Sequence, residues 1–322
     1  MRTAVIGAGA VGSLAAWLLH LGGAEVVLYE RREERLRRLR EEGIVLRGAV
    51  EARFRPRLGE EGEMPAPFDL MVLAVDAGRT GEALRPLSPF VHRGTAYLSL
   101  QDGFAAAELA SLVGGERTFV ALPWLSAEET STGEVEVEEL RALVLGPFAG
   151  VGAEELERMA GLFARCPCGV DMETGVIGNI WERLMYAGPV SGICAVAGTA
   201  PGEARRDARL DELCGEAAEE CLRVALAAGV ELPRPGSVWD GAVWRKLRPP
   251  MLRRVEGGGR TEVDWMSGRV VETAREAGVP VPVHGAILSL VRELESGRHR
   301  PGEAAVRELA RRAGEERGMS LQ

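Results

Sequence analysis

The chain has 322 residues, 46% of them hydrophobic, and a formal net charge of −9. That length most naturally makes two domains sharing a cleft, and the acidic balance argues against nucleic acid or an anionic membrane surface as a partner. No apolar run is long enough to span a bilayer, and five cysteines without a secretory signal read as the reduced thiols of a cytoplasmic protein.

Residues 3–6 read as a first strand, 13–21 as a helix and 26–29 as a second strand, with Gly7, Gly9 and Gly12 between them in G-x-G-x-x-G spacing. Strand, glycine turn, helix, strand is the context that gives this motif its meaning. Gly7 permits the tight turn, Gly9 lets the backbone approach a pyrophosphate, and Gly12 lets helix and strand pack closely. Ala10 and Val11 in the turn and the helix N-terminus after them then offer N–H groups and a positive dipole end to the phosphates. A secretory signal would need a cleavage site after its apolar core, whereas a charged segment follows here.

The end of the second strand bears on the cofactor. Glu30 lies where an acid accepts hydrogen bonds from the ribose hydroxyls of NAD, while Arg31 and Arg32 follow where an arginine can fork onto the 2′-phosphate of NADP. The two signals conflict unless Glu30 turns away or pairs with an arginine of its own. Alternatively, both arginines simply open the charged helix RREERLRRLREEG, whose solvent face is full of such residues. These residues alone leave NAD and NADP open, and no second flavin-type signature supports FAD.

Residues 69–75 read as a central parallel strand, as do 95–100, which are followed by QDGF and a helix through 112. Residues 119–122 form a shorter strand, 44–54 and 135–145 read as hairpins appended to the sheet, 152–164 as a helix and 168–172 as a last strand. Parallel strands carry ligands beyond their carboxyl ends, which places Asp76, Gln101, Asp102 and Gly103 near the cofactor. From about residue 174 the strands vanish. Residues 176–196, 207–228, 261–277 and 284–295 are helix-period segments, and the tail from 301 reads as a surface helix or frayed end. The expected fold is α/β, an N-terminal Rossmann dinucleotide-binding domain (1–173) followed by an all-helical C-terminal domain (174–322). Cys166 and Cys168 flank Pro167, but no second ligand pair follows and the four histidines are scattered, so no metal site is expected. Lys246 is the single lysine. Because arginine stays protonated, any lysine acid must be that residue.

GAGAVG with an arginine past the second strand, the LQDGF turn, the WERL helix and the PPML…RTEVD segment, in order over nearly the whole chain, resemble the ketopantoate reductase (2-dehydropantoate 2-reductase) family. The resemblance implies a substrate cleft between the domains and NADPH-dependent reduction of a 2-keto acid to a 2-hydroxy acid. Arg31 matches the family arginine that holds the 2′-phosphate, so NADP(H) is favoured and NAD(H) possible. The polar site departs from the pattern. Asp76 stands for a usual lysine, Asp102 for the asparagine of a Gln/His–Asn–Gly turn, and Arg183 for the proton-donating lysine of W-x-K-L. Ala187 and Ser191 replace two asparagines, and Pro250 replaces a serine. Glu262 matches the glutamate that contacts substrate.

Arg183 and Glu262 are therefore the catalytic candidates, with Ala187, Ser191, Pro250 and Glu262 lining the substrate. Arg183 and Glu262 are expected to face one another across the cleft near the nicotinamide. Arg183 could hold a carboxylate or a developing alkoxide but is a poor acid. Glu262, Tyr186, Lys246 or water would then supply the proton. Otherwise Arg183 is a salt-bridge residue, to Glu182 or Glu262, and Tyr186 a packing residue. Three readings compete: a ketopantoate reductase proper, a relative acting on another 2-keto acid, carbonyl or imine, and a catalytically silent nucleotide-binding sensor or relic. The expected partner is a small keto acid, with the chain a monomer or homodimer.

Overall fold

A computed structural model describes residues 1–59, 67–130, 133–150, 152–241 and 248–320. The chain divides into two units, Met1–Gln101 with Ala105–Val176, and Asp102–Phe104 with Ile177–Gln322.

The first unit runs β1 (Arg2–Ile6), α1 (Ala10–Leu21), β2 (Glu25–Tyr29), α2 (Glu33–Glu42), β3 (Ile44–Gly48), β4 (Ala52–Phe54), β5 (Arg57–Leu58), β6 (Phe68–Leu73), α3 (Thr80–Leu84), β7 (Val91–Ser99), α4 (Ala105–Val113), β8 (Thr118–Glu129), β9 (Val135–Pro147), α5 (Ala153–Gly161) and β10 (Gly169–Met172). Among the described residues its strands form one sheet in the order β4-β3-β9-β8-β7-β6-β1-β2-β5, with β10 on β9. β1 lies parallel between β2 and β6. The chain thus winds to one side of β1 and later returns on the other, the reversal at which open α/β sheets bind ligands beyond the strand carboxyl ends.

Alternate residues feed opposite faces. Val5, Leu28, Leu70, Val72 and Leu98 join α1 in one core, while Ala4, Ile6, Val27, Met71, Leu73 and Tyr97 build the other. Both faces are buried, as parallel strands require. This is the Rossmann-type α/β architecture expected from the glycine turn and strand rhythm. β8 corrects the short strand expected at 119–122, since it continues through Pro123 to Glu129 in antiparallel pairing with β9. A register shift between Trp124 and Leu125 follows the proline, as expected where a residue lacks a ladder donor. β3 pairs with β4 as a hairpin and is also built into the sheet, parallel to β9.

The second unit is helical: α6 (Ile177–Ala197), α7 (Pro201–Ala204), α8 (Ala208–Ala227), α9 (Val238–Gly241), α10 (Pro250–Glu256), α11 (Ser267–Ala277), α12 (Pro282–Glu295) and α13 (Glu303–Ser320). α6 is buried nearly all round, the signature of a central helix, although Pro189 interrupts its hydrogen-bond ladder. The helix expected from 261 begins only at Ser267. Thr261 gives its N–H and hydroxyl to Glu295, and its Oγ1 accepts from Val263 N. Those side-chain bonds hold the segment in a turn. Among the described residues no helix is long and apolar enough to cross a membrane, and no group of three or more potential ligands is placed to hold a metal ion.

Two buried titratable groups meet where α8 supports α12. Glu220 accepts from the N–H groups of Val283 and His284, both at 2.9 Å, capping the helix start. His284 Nε2 lies 2.9 Å from Ala217 O and Nδ1 3.2 Å from Ser267 Oγ. A carbonyl only accepts, so Nε2 carries the proton and Nδ1 accepts from the serine. Burial pushes the Glu220 carboxyl up to about 7 against those two N–H groups, and pushes His284 down to about 4. The stability from Glu220 is present below its unfolded value and lost as pH rises to about 7. That from His284 is present above its unfolded value and lost as pH falls to about 4. Between its two values Glu220 holds more proton in the folded state than in the unfolded one. Thermal melts should therefore show wild type losing stability relative to Glu220→Gln between about pH 4.5 and about pH 7. Parallel curves for the two proteins would remove this role from Glu220.

Candidate functional site

The glycine turn leaves β1 with Gly7 at φ +100°. A Cβ there would meet Ala74 O at 2.8 Å, and one at Gly12 would fall 1.8 Å from Gly7 O. Gly9 differs, having nothing within 4 Å of a built Cβ. It is the N-cap of α1 without a side-chain cap bond, so the amides of Ala10, Val11 and Gly12 begin a helix that no side chain closes. An uncapped helix start with open space at its cap suits an anionic pyrophosphate.

Arg35 is buried behind this turn, its Nε 3.0 Å from Ala8 O and its Nη2 3.1 Å from Ser13 Oγ. Its Nη1 donates to Gly133 O, and Glu129 lies 3.4 Å from Nε. Ser13 Oγ also donates to Ala8 O at 3.2 Å. Arg35 is thus turned inward on a helix whose other charged residues are not buried. The signal in the sequence is spacing, because Arg35 lies one turn before Leu39, and the two are the buried residues of α2.

At the end of β2 the two arginines take separate partners. Glu30 accepts from the N–H groups of Arg31 (2.8 Å) and Arg32 (3.0 Å), from Arg32 Nη2 (2.8 Å) and from Ala8 N (3.3 Å). Burial pushes its carboxyl up, but the bonds and charge of Arg32 and the Arg31 N–H outweigh that and hold it below the usual range. Arg31 points elsewhere, its Nη1 2.7 Å from Glu82 Oε1 on α3. Asp76 is exposed at the start of the turn leading to α3. Gln101 is buried, with Nε2 donating to Val75 O (3.1 Å) and Thr80 Oγ1 (2.9 Å), so its amide ties the β7 end to the segment after β6.

In the helical unit Arg183 is 6% exposed. Its Nε and Nη2 donate to Asp102 Oδ1 at 3.1 and 2.9 Å, so Asp102 sets a carboxylate against this guanidinium. Gly103 has φ +63°, and a Cβ on it would meet Trp265 O at 2.3 Å. Phe104 N donates to that same carbonyl at 3.0 Å, and its ring packs edge-on against Trp181 at 5.1 Å. The Asp102–Phe104 turn is thereby brought against both the WERL helix and the turn that carries Glu262, whose carbonyl accepts from Trp265 N. No motif in the sequence singles out Trp265, because its contribution to this turn is a backbone carbonyl. Asp264 pairs with Arg292. Ala187 and Ser191 are buried on α6, the Ser191 hydroxyl having no hydrogen-bond partner among the described residues. Pro250 opens α10, and Tyr186 is half-buried. Lys246 lies outside the described residues.

Two family models match the chain, "Ketopantoate reductase PanE/ApbA" over residues 3–150 and "Ketopantoate reductase PanE/ApbA C terminal" over 176–295. A 2-dehydropantoate 2-reductase of Halobacterium salinarum is 29% identical over 304 residues, covering 91% of this chain and 98% of the relative. Among solved structures, a PanE/ApbA family ketopantoate reductase from Ralstonia eutropha has a TM-score of 0.80 at 24% identity, covering 93% of this chain and 100% of that one. A D-mandelate dehydrogenase solved with NADH and anilino(oxo)acetate has a TM-score of 0.83 at 19% identity, covering 92% and 99%.

The contrast between the glycines gives a clean test. Gly9→Val, which meets open space, should melt with wild type yet lose dinucleotide binding measured by nicotinamide fluorescence. Gly12→Ala should instead cost about 1–3 kcal/mol of stability, because the neighbouring carbonyl must move. Wild-type affinity in Gly9→Val would remove the turn from nucleotide binding.

Proposed function

The chain belongs to the ketopantoate reductase family, and from that premise we propose that it reduces a 2-keto acid to a 2-hydroxy acid with NADPH as the favoured donor. It is an NAD(P)-dependent oxidoreductase of the 2-dehydropantoate 2-reductase type, acting on CH–OH. The observation that carries the NADPH preference is the division of labour after β2, where Arg32 and backbone amides engage Glu30 while Arg31 points away from it. In this reading residues 1–173 hold the dinucleotide, through Gly7, Gly9, Ala10, Val11, Gly12 and Arg31, with Asp76, Gln101, Asp102 and Gly103 bordering it. Residues 174–322 hold the keto acid, and the chain acts as a monomer or homodimer.

NADPH supplies the hydride when bound. The protein's own task is to orient the keto acid and stabilise the oxygen as it becomes an alkoxide. Arg183 is suited to the first task, since a guanidinium can fork onto a carboxylate, and ill-suited to giving a proton. Asp102 fixes its direction and offsets its charge. Glu262 is the proposed second polar contact, while Ala187 and Pro250 make the surroundings less polar than the family pattern. The substrate expected is therefore bulkier or more apolar than ketopantoate, or ketopantoate itself bound with fewer hydrogen bonds.

NADPH oxidation with a panel of 2-keto acids, ketopantoate and an aryl 2-keto acid among them, should show turnover with at least one member. Dinucleotide binding without turnover on any would leave a silent nucleotide-binding protein. Arg31→Ala should weaken NADPH more than about tenfold, as the loss of a charged hydrogen bond implies, and leave NADH within about twofold. Equal losses would mean that Arg31 has no part in selecting the cofactor.

Arg183→Lys tests the substrate role. It should raise KM for the preferred keto acid about tenfold or more, because lysine cannot make the forked contact. An unchanged KM would leave Arg183 as the structural partner of Asp102 alone.

A further inference from the structure

We propose that Arg79 joins Arg31 as a clamp for the nucleotide 2′-phosphate, and that Glu82, held between them, sets how strongly this chain prefers NADPH over NADH. The proposal rests on the dinucleotide reading above and adds to it a second arginine and an opposing acid.

The two arginines come from separate turns. Arg31 follows β2 and Arg79 ends the turn after β6, and these strands flank β1 in the sheet. Glu82 sits on α3 with Oε1 2.7 Å from Arg31 Nη1 and Oε2 3.3 Å from Arg79 Nε. One carboxylate thus engages two guanidinium groups, one with each oxygen, as a phosphate would. All three side chains are about half exposed, so an incoming ligand can reach them.

Charge makes this trio selective. The bond and charge of Arg31 hold the Glu82 carboxyl below the usual range, which keeps it anionic at neutral pH. An exposed ion pair is worth little, and a phosphate carrying more charge than a carboxylate can displace it. Once displaced, Glu82 is a like charge beside the phosphate and weakens its binding. NADH lacks that phosphate and leaves the trio intact. The acid that opposes NADPH is therefore Glu82, since Glu30 is engaged by Arg32 and backbone amides.

The test is titration of wild type, Glu82→Gln and Arg79→Ala with NADPH and with NADH, monitored by nicotinamide fluorescence at fixed salt. Because the three side chains are at the surface, both variants should fold, and a melt of each checks this. Glu82→Gln should tighten NADPH about three- to tenfold and Arg79→Ala should weaken it about fivefold or more, with NADH within about twofold in both. Glu82→Gln shifting both nucleotides equally, or neither, overturns the role of Glu82. Unchanged NADPH affinity in Arg79→Ala overturns the clamp. If Arg31→Ala is selective while these two are not, the clamp fails and the NADPH reading stands. If wild type binds neither nucleotide, the dinucleotide reading fails with it.

Discussion

The first unit depends on a lack of room at one carbonyl. Gly7 O lies where the Cβ of any residue at position 12 would have to be, 1.8 Å away. That closeness sets how tightly α1 descends onto β1, and so where its uncapped amides stand. The constraint is backbone on backbone, so no side-chain rearrangement can relieve it. Arg35 works from the other side, holding the Ala8 carbonyl and the Ser13 hydroxyl. A buried guanidinium there both braces the turn and places a full positive charge behind an uncapped helix start. Desolvation disfavours such a charge, and burial does pull the Arg35 pKa down. The neighbouring Glu129 and Glu30 carboxylates counter part of this.

A second balance of charge governs the helical unit. Arg183 is nearly out of solvent, and a cation there requires a partner, because an uncompensated buried charge costs several kcal/mol. Asp102 provides it. Against the lysine and asparagine that the resemblance implies, Arg183 and Asp102 are a matched pair, a cation whose charge cannot be relinquished set against an anion. Lysine beside an amide can donate a proton, whereas arginine beside a carboxylate gives orientation and electrostatic stabilisation. Ser191, buried without a hydrogen-bond partner among the described residues, lies two turns further along the same helix.

The fold is legible in the sequence wherever its cause is local. Strand alternation, the glycine spacing and the helix periods each depend on residues within a turn or two, and the sheet and helical halves come from them. Boundaries fail where a distant side chain intervenes, as when Glu295 captures Thr261 and delays α11. The strand read at 119–122 runs on through Pro123, whose missing N–H is followed by a register shift. At the candidate site the matching positions can be read, but their partners cannot. Asp102 and Arg183 are 81 residues apart, and Arg31 and Glu82 are 51 apart. No spacing rule connects such pairs.

The three residues Asp102–Phe104 belong to the helical unit while the chain on either side belongs to the sheet. No single cut therefore separates this protein into its two halves. A fragment ending before α6 would keep an aromatic ring that has lost Trp181 and an aspartate that has lost its guanidinium. The helical half alone would lack the peg that fills the space beside Trp181 and accepts from Arg183. During synthesis the sheet-forming half emerges first, and this short turn must wait for the later helices before it has partners. Exchanging one half for that of a distant relative would require the turn to travel with the helices, out of step with its place in the sequence.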